Sequence, residues 1–186
     1  MAVSSSKTEY VLLAQLPGRL RVSLRDGQQQ MLANHWELVS TVREPCLFLI
    51  ARFLVPDGEF LVFRNLLRNL IGSFSQLYNG LYCSFEGVST FNNCLGARLA
   101  GGVCDIEDLR KLLKNGMEKY MYLRDHDLVP HVVLFDQVAE VNSGYVNSIV
   151  QSYHDMFFGG GVIHQFELKR VVPQVDQNDV LSVYVI

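Results

Sequence analysis

The ten residues from Cys46 to Val55, CLFLIARFLV, constrain this chain more than any others. Arg52 is the one polar residue in the run, which is closed by Pro45 on one side and by Pro56, Asp57 and Gly58 on the other. A segment this short and this apolar fits a strand covered on both faces, with a short buried helix as the competing reading. A strand covered twice needs layers above and below it, and the rest of the sequence has to supply them.

Helical spacing supplies part of that cover. From Glu59 to Tyr78 the residues Phe60, Phe63, Leu67, Leu70, Phe74 and Leu77 fall inward, while Arg64, Asn65, Arg68, Asn69 and Gln76 fall outward. Asp26 with Gln29 resembles a capping box that opens a helix through Met31, Leu32, His35, Leu38, Val39 and Val42, ended by Pro45. Asp105 is the expected N-cap of a third helix, with Ile106, Leu109, Leu112, Leu113, Met117 and Tyr120 as its buried stripe. Val138, Val141, Tyr145, Ile149, Ser152 and Met156 mark a fourth, stopped by Gly159, Gly160 and Gly161.

Strands are predicted between these helices. EYVLLAQ and RLRVSLR flank LPGR as an N-terminal hairpin, because Leu20, Val22 and Leu24 alternate with Arg19, Arg21, Ser23 and Arg25. LYCSFE and HVVLF follow, and VIHQFEL and VLSVYVI close the chain as a second pair. The pattern predicts an α+β (mixed α/β) fold: a single mixed β-sheet with about four helices packed against it and hairpins near both ends. Residues 1–8 are expected to be a flexible tail and residues 9–186 one globular domain, a size sufficient for one core.

Composition narrows the function classes. Charged residues make up 19% of the chain and aromatics 11%, which leaves apolar surface in need of cover. The net charge of -3 gives no global attraction to nucleic acid or to an anionic membrane. The N-terminus lacks the pattern of a secretory signal and no run of eighteen apolar residues occurs, so a soluble protein of cytoplasm or nucleus is expected, without membrane insertion. Its four cysteines are then thiols.

FEGVSTFNNCLGARLAGGVCDIEDL, from Phe85 to Leu109, is the nearest approach to a chemical signature. Cys94 as nucleophile, His164 as general base, Asp176 as its orienter and Asn93 as oxyanion donor have the order of a cysteine hydrolase. Leu95 follows Cys94 where papain-like enzymes often carry an aromatic residue. The competing reading is a tight turn in which glycines bend the backbone and Cys94 and Cys104 fill small buried spaces. Gly96, Gly101 and Gly102 do not match a dinucleotide fingerprint, and Arg98 is misplaced for a phosphatase loop. His126 and His131 have no cysteine beside them, so no metal and no cofactor are expected. His35, on an apolar face, is read as a satisfied core histidine.

Two basic groups remain: Arg19, Arg21 and Arg25, expected on one strand face, and Arg64 and Arg68, one turn apart on a helix. Such prongs suit phosphates of single-stranded RNA. Taken together, these patterns predict a non-catalytic interaction or assembly module that presents an apolar or strand-edge surface to another protein or to itself. The charge-free VLSVYVI is the motive, since bare apolar edges invite pairing. The cysteine hydrolase is the alternative, and RNA binding through the arginines the second alternative.

Overall fold

A computed structural model describes residues 6–45, 47–124, 129–138, 143–171 and 183–185. In chain order they form β1 (Lys7–Gln15), α1 (Gly18–Asn34), a 3-10 helix (Trp36–Thr41), β2 (Leu47–Pro56), α2 (Phe60–Tyr78), β3 (Leu81–Phe91) and β4 (Cys94–Gly101). Then come α3 (Val103–Met117), β5 (Met121–Tyr122), β6 (His131–Phe135), α4 (Ser143–Ser152), β7 (Phe157–Ile163), β8 (Phe166–Arg170) and β9 (Val183–Val185).

The strands make two sheets rather than the single mixed sheet expected. One runs β5-β2-β1-β8-β9 and the other β6-β4-β3-β7. Every pairing in both is antiparallel. The correction has a physical origin: β1 takes β2 and β8 as partners, and a pairing of segments so far apart leaves no local trace in either one. Phe48 of the first sheet meets Phe85 of the second edge to face, ring centroids 5.8 Å apart, which seats one sheet against the other.

The expected N-terminal hairpin is absent, because RLRVSLR opens α1. Leu20 and Leu24 are four apart as well as alternating, and they share a buried helix face with Gly27, Gln28 and Met31, while Val22 is 54% exposed. β1 begins at Lys7, paired with Pro56. The helix expected to run to Pro45 breaks at His35 into the 3-10 turn. His35 is satisfied there by the Tyr145 hydroxyl at 2.8 Å, which in turn donates to Glu37 at 2.6 Å.

β2 forms where CLFLIARFLV fitted either a strand or a short buried helix, although Cys46 itself lies outside the described residues. α2 buries Phe63, Leu67, Ile71 and Phe74 but leaves Leu77 78% exposed. The stretch around Cys94, read as a tight turn bent by glycines, is a hairpin of β3 and β4 turned at Asn92 in the left-handed region with φ 53°. α3 starts two residues before Asp105, behind Gly102 at φ 85°, where a Cβ would lie 1.8 Å from the Tyr82 carbonyl oxygen. Gly159, Gly160 and Gly161 do not end a helix; they lie within β7, opposite Phe85, Ser84 and Cys83 of β3.

The β1–β2 ladder is broken at one point. Ala51 pairs with Leu12 and Leu49 with Leu13, which leaves Ile50 as an extra residue bulged out of the ladder. The Arg110 guanidinium from α3 caps the bulge, donating Nε–H to the Ile50 carbonyl at 2.9 Å. With β2 so bent, Leu49 and Arg52 lie half-buried while Phe48, Ile50, Ala51 and Phe53 are buried.

Candidate functional site

On β1, Tyr10, Leu12 and Ala14 turn into the core, and Glu9, Val11, Leu13 and Gln15 occupy the half-buried opposite face. That face looks into a cleft of about 330 Å³ lined from both sheets. Leu13, Phe48, Leu49 and Arg52 come from the first sheet, Phe91, Asn92, Asn93 and Cys94 from the β3–β4 hairpin, and Val129, Pro130, His131 and Val133 from the β6 segment.

His131 is the group in this lining suited to proton transfer near neutral pH. Along β6 it alternates with the buried Val132 and Leu134, which leaves His131 and Val133 on the cleft side. Its ring lies flat on Phe91, centroids 3.8 Å apart and planes within 1°. Nδ1 is 2.9 Å from the Val129 carbonyl oxygen, an acceptor only, so Nδ1 carries the proton and Nε2 holds the ring's lone pair. Stacking and hydrogen bond together fix the ring plane and the tautomer.

Arg52 supplies positive charge on the facing sheet. It ion-pairs with Glu9 at 3.1 Å, and Arg124 reaches the same carboxylate at 3.2 Å. Two guanidiniums thus converge on the Glu9 carboxylate. Burial pushes the Tyr122 phenol up, and its hydrogen bond to Glu9 adds to the rise, so it stays a neutral donor. Phe48, Leu49 and Val133 make the remaining wall apolar.

The residues singled out in the sequence are dispersed. Cys94 and Asn93 do lie in the cleft, but His164 lines two other depressions and Asp176 lies outside the described residues. The Cys94 Sγ–H donates to the Phe91 carbonyl at 2.9 Å, and burial, followed by the charge of Asp136, pushes the thiol up to about 11. That is the reverse of what a nucleophile needs. Cys104, expected to fill a buried space, is exposed. Arg19, Arg21 and Arg25 lie on α1 and not on a strand, with Arg25 paired to Glu44 at 2.9 Å. Arg64 and Arg68 stand on α2 as expected. Among the described residues no three His, Cys, Asp or Glu side chains gather as metal ligands. Residue spacing brings His131 forward only as a metal ligand and leaves Arg52 and Phe91 without a role. The dipeptide Pro130–His131 at a strand start is the available signal, and one histidine in five is a weak one.

No family model and no curated protein matches the sequence. Solved structures do match the fold. LigT of E. coli complexed with ATP aligns over 97% of this chain and 96% of its own, with a TM-score of 0.60 at 10% identity. The chain resembles LigT from end to end. LigT complexed with 3′-AMP aligns over 98% and 96% with a TM-score of 0.58 at 10% identity. A structure described as a phosphoesterase aligns over 97% and 96% with a TM-score of 0.57 at 11% identity. The expectation of a non-catalytic interaction module is corrected by this likeness, because two of these structures hold a nucleotide and the third is described as a phosphoesterase. No helix among the described residues is long and apolar enough to cross a membrane.

Proposed function

We propose that the protein is a phosphoesterase that takes a nucleotide-like phosphate ester into the cleft between its two sheets. The observation that carries this reading is the His131 imidazole, held in one tautomer within a LigT-like fold and lining a cleft that Arg52 also lines. Nε2 accepts the proton of the hydroxyl that attacks phosphorus and returns it to the departing oxygen. Arg52 meets the charge that gathers on the phosphoryl oxygens, and the apolar wall excludes water and strengthens that attraction. Val133, Leu49 and Phe48 offer the base or sugar an apolar surface.

Turnover of bis(p-nitrophenyl) phosphate tests this directly. His131→Ala is expected to lower the rate by about 10²-fold or more, the usual worth of a positioned acid–base group. Arg52→Gln is expected to weaken binding and rate together. A wild-type rate equal to the His131→Ala rate would sink the catalytic reading. A second reading is favoured by a specific observation: His131 is the one imidazole in the described lining of the cleft. Under it the cleft binds the ester without turning it over, and 3′-AMP binds while the diester survives.

A further inference from the structure

Two further depressions share one residue. The first, about 240 Å³, is lined by Gln15, Pro17, Arg21, Val162, His164 and Gln165 among others. The second, about 480 Å³, is lined by Arg68, Asn69, Ser73, Ser75, Gln76 and His164 among others. His164 therefore lines both depressions, one together with Arg21 of α1 and the other together with Arg68 of α2. Neither lining contains an aspartate or glutamate.

Arg21 is half-buried. Its Nε is buried and has no hydrogen-bond partner, and α1 carries no acid in its first turn to neutralise it. The Nε is sealed within the fold and anchors the guanidinium there, while the depression that Arg21 lines holds no carboxylate to compensate its charge. Guanidinium forks suit phosphate oxygens in particular.

We propose that the two depressions form one trough that binds successive phosphate groups of a single ligand, one at Arg21 and one at Arg68, with His164 lining both. Gln15 follows Leu13 on the cleft face of β1, so the trough lies next to the cleft along that strand. The trough stands on its own observations and does not depend on the chemistry assigned to His131.

Calorimetric titration with inorganic tripolyphosphate and, separately, with a ten-nucleotide oligothymidylate tests it, with Arg21→Gln and Arg68→Gln beside the wild type. Binding of either probe, weakened about tenfold in each variant, is expected from the loss of one charge-assisted contact. Tripolyphosphate alone identifies a polyphosphate ligand, and the strand alone a phosphodiester backbone. Arg68 is exposed on α2, so its substitution reports on binding without disturbing the fold. Absence of binding by both probes, or binding unchanged in Arg68→Gln, overturns the trough. Failure of the cleft reading shows elsewhere, as diester turnover insensitive to His131.

Discussion

Cys94 sits at the hairpin turn with its thiol proton held by a carbonyl, and Cys83 lies deeper, pushed up to about 12 by burial. Both folded thiols keep their protons well above the ordinary range near 8.5. The stability this provides is complete below about pH 8.5 and is lost as the pH rises towards 11 and 12, by roughly 1.4 kcal/mol per thiol per pH unit. Urea midpoints measured from pH 7 to 10 should therefore fall above about 8.5, and Cys83→Ala should flatten that slope. Alkylation at pH 8 should label the exposed Cys104 before Cys94; rapid labelling of Cys94 would reopen the thiol chemistry suggested by its neighbours. Gly102→Ala should cost more than about 2 kcal/mol in chemical denaturation, since the added methyl meets the Tyr82 carbonyl in a left-handed backbone.

Gln28 shows what single elements contribute. Buried on α1, its amide donates to the Arg43 carbonyl at 2.6 Å and to the Leu134 carbonyl, which ties the helix to the end of β6. Gln28→Leu leaves two carbonyls without this donor and should destabilise by about 2–3 kcal/mol in thermal or urea unfolding. β2, α2 and β6 were legible in the sequence because each has one dominant pattern: an unbroken apolar run, a clean helical stripe, and HVVLF shut in by Pro130. α1 was not, since Leu20, Val22 and Leu24 satisfy a strand's period as well as a helix's. β7 was not either, because three glycines signal a helix end unless a neighbouring strand such as β3 is known to lie across them.

At the scale of the molecule, the division into two sheets arises from long-range pairing, and no local pattern records it. The cleft has the same character: Arg52 and His131 line one cleft because one sheet seats on the other, which cannot be read from residue spacing. The thiol at Cys94 stands out in the sequence because cysteine beside asparagine has a familiar chemistry, whereas a lone histidine after proline has none until its surroundings are fixed. Titration of uniformly ¹⁵N-labelled protein with 3′-AMP, followed amide by amide, tests the cleft most directly. Saturable shifts confined to residues 91–94 and 129–133 and to β2 around Arg52, weakened in Arg52→Gln, are predicted. Shifts absent at millimolar nucleotide, or scattered outside the cleft, would contradict it.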